Sequence, residues 1–146
     1  MSCETLICDT SFVSHLLQVD EAPERYAHWD KGVMDRVESE LLAISIVTIA
    51  EIRAGYLKAG WGTRRVTWAE RRLATYLPVL IDDPHVNEWA RLSTAARALG
   101  VALSHNDLWI AATASVRARG LVTCDRDHLR IAPQLAGEVL YLQPPA

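Results

Sequence analysis

The chain has 146 residues, half of them hydrophobic and 23% charged, which suits one folded domain with a real core and argues against a disordered protein. No apolar run approaches the ~20 residues that span a bilayer, and Met1 to Cys8 has no basic region ahead of a long apolar one, so neither a membrane segment nor a signal peptide is expected. The formal net charge of -3 argues against a protein that coats nucleic acid non-specifically, yet it leaves room for a nuclease whose acids hold metal.

The first predicted element is a buried strand, Thr5-Leu6-Ile7-Cys8. Pro23 can open a helix at its first turn, with Tyr26, Trp29, Val33 and Val37 along one face. Leu42 to Val47, rich in Ile and Val, reads as a second strand. Thr48 to about Lys58 is helical, Gly60-Trp61-Gly62 interrupts, and a further helix runs from Thr63 to Tyr76. Pro78 to Ile81 is a short third strand. From Pro84 to Leu99 the positions Val86, Trp89, Ala90, Ser93 and Ala96 recur at helical spacing, and Gly100 ends that helix. Leu108 to Val116 is apolar on most faces and reads as a buried helix, with Trp109 in the core. Leu121 to Cys124 and Val139 to Leu142 are the fourth and fifth strands, and Pro144-Pro145 reads as a frayed tail. Strands alternating with helices imply a parallel sheet covered on both faces. With no repeat, low-complexity tract or Gly/Ser linker, residues 1–146 are expected to form a single domain.

The three cysteines, Cys3, Cys8 and Cys124, are odd in number and form no C-x-x-C pair. A disulfide framework or zinc site is therefore not expected, the cytoplasm is the expected compartment, and Cys8 and Cys124 read as small core residues.

In an open parallel sheet, ligands bind beyond the carboxyl ends of the strands. Asp9 follows the first strand, Glu51 follows the second by one turn, Asp125 follows the fourth, and Asp107 opens the buried helix. Each has a plainer reading. Thr48-x-x-Glu51 and Ser104-x-x-Asp107 resemble capping boxes, acids in a first helical turn suit the helix dipole, and Asp9 and Asp125 could simply end strands. Convergence on one rim favours the functional reading. Two like charges 4 Å apart repel by about 4 kcal/mol near a protein surface, so four acids gathered together call for a cation. Carboxylates are hard donors that suit Mg²⁺ or Mn²⁺, and two such ions can assist phosphodiester cleavage.

The basic residues are concentrated elsewhere. Arg53, Lys58, Arg64, Arg65, Arg71 and Arg72 face one acid, Glu70, in the same stretch. Trp61 and Trp68 lie among them and suit base stacking, partner contact or ordinary helix packing. His105 and His128 flank the acids and could move a proton or touch phosphate. The expectation is that both are surface imidazoles, because metal activation of water needs no histidine.

Four segments together resemble the PIN domain, and most closely the VapC ribonuclease toxins of bacterial toxin–antitoxin pairs: Asp9-Thr10-Ser11, Thr48-Ile49-Ala50-Glu51-Ile52-Arg53-Ala54-Gly55, Asn106-Asp107-Leu108-Trp109-Ile110-Ala111-Ala112-Thr113-Ala114, and Leu121-Val122-Thr123-Cys124-Asp125. The resemblance covers nearly the whole chain in order. It implies a three-layer α/β/α sandwich around a mainly parallel five-stranded sheet. It assigns Asp9, Glu51, Asp107 and Asp125 to catalysis through Mg²⁺ or Mn²⁺, with Ser11 and Thr123 as supporting hydroxyls. Many members carry Asn at the position of Asp125, so the Asp here adds charge that favours a second metal. Asp127 is a further candidate ligand or a solvated turn residue, and Leu129 stands where many members have Phe. The implied activity is endoribonuclease cleavage that leaves a 3′-hydroxyl on one fragment and a 5′-phosphate on the other. The implied partners are RNA, a cognate antitoxin and a second copy of the chain. Arg53, Trp61, Arg64, Arg65 and Trp68 are the surface expected to meet RNA or the antitoxin.

Two rival readings stand beside this one. A PIN-domain nuclease for RNA processing would lack an antitoxin, and a short upstream gene for a DNA-binding antitoxin separates the two. A flavodoxin-like or receiver-type binding module would need paired acids after the first strand and a late lysine. This chain has only Asp9 there and no lysine after Lys58.

Overall fold

The computed structural model describes residues 4–117 and 119–146, so Cys3 lies outside the described residues. Five strands form one sheet: β1 (Thr5–Cys8), β2 (Leu41–Ser45), β3 (Leu77–Val79), β4 (Gly120–Thr123) and β5 (Val139–Tyr141). Their order is β3-β2-β1-β4-β5 and every pairing is parallel. The chain builds outward from β1 to one side, then crosses to the other, which puts the switch in strand order between β1 and β4.

Side chains alternate across the sheet and so create two cores. Leu6 and Cys8 of β1, Ile44 of β2 and Val122 of β4 join Phe12, Trp29, Ile52 and Tyr56 on one face. Ile7, Ala43 and Leu121 join Ile110 and Ala114 on the other. The first face is covered by α1 (Thr10–Val19), α2 (Lys31–Ser39), α3 (Ile46–Lys58) and α4 (Thr63–Leu73), the second by α5 (Asp83–Leu99) and α6 (His105–Val116). This is the expected three-layer sandwich. The short helix α7 (Arg126–Ile131) follows β4.

Several boundaries differ from expectation. Helix α1 was not foreseen; Phe12, Val13 and Leu17 are buried at helical spacing, and Asp9 stands at its N-cap. The single helix expected from Pro23 is a 3₁₀ turn over Pro23–Tyr26 followed by α2. Asp30 makes the break, accepting a 2.9 Å hydrogen bond from the Val33 amide as a new N-cap. Helix α3 begins at Ile46 because Ser45, not Thr48, accepts from a first-turn amide, that of Val47 at 3.1 Å. Gly100 ends α5 at φ 69°, as its position predicts. Trp109 is only half-buried and lies against Trp89, centroids 5.4 Å apart. No helix among the described residues is long and apolar enough to cross a membrane.

Both described cysteines are buried and free. Burial, reinforced by the charge of Asp9, pushes the Cys124 thiol up to about 12 and the Cys8 thiol higher still. Neither is a nucleophile at neutral pH.

Candidate active site

The carboxyl ends of β1 and β4 lie side by side, and the chain turns into a helix immediately after each. The ladder continues one residue past β1, where the Asp9 amide donates to the Val122 carbonyl at 2.9 Å. That bond fixes Asp9, which is 1% exposed, at the switch between the two strands. Its Oδ2 accepts hydrogen bonds from the Ser11 hydroxyl at 2.6 Å and the Thr123 hydroxyl at 2.7 Å. The Ser11 oxygen accepts in turn from the Cys124 amide, and the Thr123 oxygen from the Asp125 amide. Both expected supporting hydroxyls are therefore oriented by backbone. Asp9 Oδ1 is buried and has no hydrogen-bond partner.

Asp107 reaches the same place from the opposite face, in the first turn of α6. Ser104 caps that helix by accepting from the Asp107 amide at 3.1 Å. The Asp107 carboxylate is left to the rim, with Oδ1 4.0 Å from His128 Nε2. Asp125 caps α7 and accepts from the Asp127 amide at 2.9 Å. Asp127 lies 3.9 Å from Arg130 on the surface of α7.

His128 departs most from expectation. It is not a surface imidazole: its side chain is 0% exposed, and Nε2 lies 3.6 Å from Asp9 Oδ2. Asp9, Asp107 and His128 each offer a ligand atom within 4.8 Å of the other two. With Asp125 at its N-cap, one turn of α7 turns this imidazole inward. His105 is exposed and lies edge-on to Trp89.

The charges interact as this packing requires. Burial alone would raise the Asp9 carboxyl, but attraction to His128 and the Ser11 and Thr123 hydroxyls outweigh it and hold it below its ordinary value. Asp107 is held above the usual range, first by burial and then by Asp9 and Asp125, against the opposing pull of Ser104 and His128. Burial opposes the His128 imidazolium, yet Asp9, Asp107 and Asp125 together raise it. The donors fit a small divalent cation: two carboxylates and an imidazole converge, and a buried carboxylate oxygen lacks a partner.

Glu51 stands outside that triplet. It lies inside α3, beyond the first turn, so the capping-box reading does not hold. Thr10 Oγ1 donates to Glu51 Oε1 at 2.7 Å, and Asn106 Nδ2 donates to Oε2 at 3.4 Å. Thr10 adjoins Asp9, and Asn106 adjoins Asp107. Glu51 is thus tied to both neighbours of the triplet.

From Thr10 and Glu51 a cleft of about 220 Å³ runs to Tyr56, Trp61, Arg65 and Trp68. Tyr56 and Trp61 stack at 6.3 Å, and the Arg65 guanidinium lies 4.0 Å over the Trp61 ring. Part of the basic stretch is neutralised. Arg53 pairs with Glu70 at 2.7 Å, Arg72 pairs with Asp20, and Arg65 approaches Glu21 at 3.9 Å. Arg64 is exposed and has no ion pair among the described residues.

An all-parallel sandwich with acids gathered at its β1/β4 switch defines a class, and the PIN-domain family model matches residues 6–133. The chain belongs to the PIN-domain family. It is similar to Ribonuclease VapC4 of Mycobacterium tuberculosis (strain ATCC 25618 / H37Rv), 31% identical over 134 residues that cover 88% of this chain and 92% of that protein. Ribonuclease VapC5 of the same strain is 34% identical over 105 residues, 68% of this chain and 75% of that one. Among solved structures, VapBC-5 of the VapBC toxin–antitoxin family from Mycobacterium tuberculosis is 28% identical with a TM-score of 0.65, covering 94% of this chain and 98% of the other. VapBC2 from Rickettsia felis, bound to a promoter DNA fragment, shares the fold at a TM-score of 0.75 and 18% identity, covering 95% and 99%.

Proposed function

We propose that this chain is a metal-dependent endoribonuclease, the toxin of a toxin–antitoxin pair, working as one domain over residues 1–146 and as a homodimer. The observation that carries the reading is the meeting of buried Asp9 and His128 with half-buried Asp107, with Asp9 Oδ1 unpartnered, at the rim where the chain crosses the sheet. Two relatives named as ribonucleases support the activity, and the VapBC structures support an antitoxin partner.

Asp9, Asp107, Asp125 and Glu51 are the residues proposed to hold Mg²⁺ or Mn²⁺. When bound, the cation supplies a more acidic water and charge to balance the phosphodiester oxygens as the 3′-oxygen leaves. Asp9 remains ionised because its two hydroxyl donors and His128 outweigh its burial. Ser11 and Thr123 hold its orientation, and Thr10 and Asn106 hold that of Glu51. Asp127, drawn to Arg130, serves as an outer acid at most.

The purified protein is expected to cleave RNA when Mg²⁺ or Mn²⁺ is present and to stop when EDTA is added. Cleavage that persists in EDTA would remove the metal from the reading.

The cleft that leads from Glu51 to Trp61, Arg65 and Trp68 is proposed to take RNA or the antitoxin, with Arg53 and Arg64 on its surroundings. Replacing Arg64 and Arg65 together by Ala should weaken RNA binding and reduce the salt dependence by up to about two phosphate contacts. An unchanged salt slope in a binding titration would mean that these arginines do not meet phosphate.

A further inference from the structure

His128 is buried against two carboxylates without a hydrogen-bond partner. Its side chain is 0% exposed, yet neither Nδ1 nor Nε2 makes a hydrogen bond. A buried imidazole usually gives at least one ring nitrogen to a carbonyl, carboxylate or hydroxyl. The two nearest carboxylates stand 3.6 and 4.0 Å from Nε2, too far for a hydrogen bond. These spacings do match donors that share one ion. At a metal–ligand distance of about 2.1 Å, neighbouring ligands lie about 3.0 Å apart and opposite ligands about 4.2 Å. The two spacings from Nε2 lie between those limits, all three donors are within 4.8 Å of one another, and Asp9 Oδ1 waits beside them without a partner.

The rival role for His128 is an outer-sphere imidazole that orients a ligating carboxylate. Such a residue donates its N–H to that carboxylate at hydrogen-bond distance. His128 does not, although it is close enough for a small shift of either partner to make the bond. Its place at the apex of the two carboxylates is that of a third donor.

We propose that His128 Nε2 is a direct nitrogen ligand of the divalent cation, and that this mixed nitrogen–oxygen set makes the site select Mn²⁺ over Mg²⁺. The inference rests on the reading of the acidic rim as a metal site. Imidazole nitrogen adds affinity for Mn²⁺ and later transition ions, whereas Mg²⁺ favours oxygen donors and retained water.

Metal-stripped protein loaded with one equivalent of Mn²⁺ provides the test. Pulsed electron paramagnetic resonance should detect a ¹⁴N coupling of imidazole size on the bound Mn²⁺. That coupling should change to the ¹⁵N frequency when the wild-type protein is grown with ¹⁵N-histidine, a measurement that needs no variant to fold. His128→Gln should abolish it, whereas His105→Gln should retain it. In competition titrations, the preference for Mn²⁺ over Mg²⁺ should fall at least about tenfold in His128→Gln. Bound Mn²⁺ without nitrogen coupling, or a coupling that disappears with His105 instead, overturns the inference while the acidic metal site stands. Failure of the wild-type protein to bind Mn²⁺ at all overturns both.

Discussion

Asp9→Asn is expected to abolish RNA cleavage, lowering the rate by at least about 10²-fold, while leaving the fold intact. Losing an outer-sphere partner of a metal typically costs 10–100-fold in affinity or activity, and the proposed role of Asp9 is closer than that. The fold should survive for a specific reason. The two hydroxyl donors from Ser11 and Thr123 both converge on Oδ2, and an amide oxygen can accept both. The amide nitrogen then occupies the place of Oδ1, which makes no hydrogen bond in the wild type. What the substitution removes is the negative charge. Asp107→Asn should lose cleavage similarly, since it withdraws a second charge from the same triplet. The checks are cleavage of an RNA substrate under saturating Mn²⁺ and a circular dichroism spectrum of each variant. Wild-type rates from a folded Asp9→Asn protein would take Asp9 out of the reaction.

Without metal, Asp107→Asn should also melt at a higher temperature than the wild type. Burial, Asp9 and Asp125 hold the Asp107 carboxyl above its ordinary value of 3.8, so its charged form opposes folding. For an acid whose folded value is raised, the penalty is absent where both states are protonated. It grows as pH rises past the unfolded value and is complete above the folded one. At neutral pH in EDTA the Asn variant should therefore gain on the order of 1 kcal/mol after solvent screening, or about 2–4 °C. At a pH below 3.8 the gain should vanish. Mn²⁺ should reverse the order, because binding to the native state stabilises the wild type more. A residue whose value lay in starting a helix would behave oppositely, since Asn is the weaker partner of the helix dipole. The structure assigns the capping work at α6 to the Ser104 hydroxyl. Thermal melts of both proteins with EDTA and with Mn²⁺ decide the matter. A lower melting point for the variant in EDTA, with equal shifts by metal, would make Asp107 a helix-start residue.

The central strands β1 and β4 were legible because they are buried on both faces and read as apolar runs, the outer strands showed as short Val- and Leu-containing runs, and the rim followed from asking what comes next. The helices next to the rim were harder to read. In α1 the polar Ser14, His15 and Gln18 interrupt the apolar positions, and Asp9-Thr10-Ser11 reads equally well as a loop. Helix α7 has 6 residues, too few for a period to show. Missing α7 meant reading His128 as a surface imidazole, whereas its burial depends on the angle at which that helix leaves β4. Its one sequence signal is its place one turn after Asp125, on the side of the capping residue. The Thr48-x-x-Glu51 pattern misled differently. Ser45, three residues before the predicted helix start, already caps the first turn, which frees Glu51 for Thr10 and Asn106. The concentration of arginines was legible as composition, but the acids that pair with Arg72 and Arg65 come from Asp20 and Glu21, at the end of the unforeseen helix.

The order β3-β2-β1-β4-β5 has a consequence for how the molecule comes into being on the ribosome. The central strand is the first to emerge, and its two companions on one side follow early enough to dock beside it. Its companion on the other side is residues 120–123, and until these are extruded Asp9 lacks the Thr123 hydroxyl that orients it. Asp107 and His128 emerge late as well. A nascent chain can thus complete one flank of the sheet, with Glu51 held by Thr10 alone, while still unable to assemble the triplet. Non-local parallel pairing is also the slow part of folding. The translating ribosome, itself largely RNA, is thereby spared an armed nuclease for most of the time it spends making one.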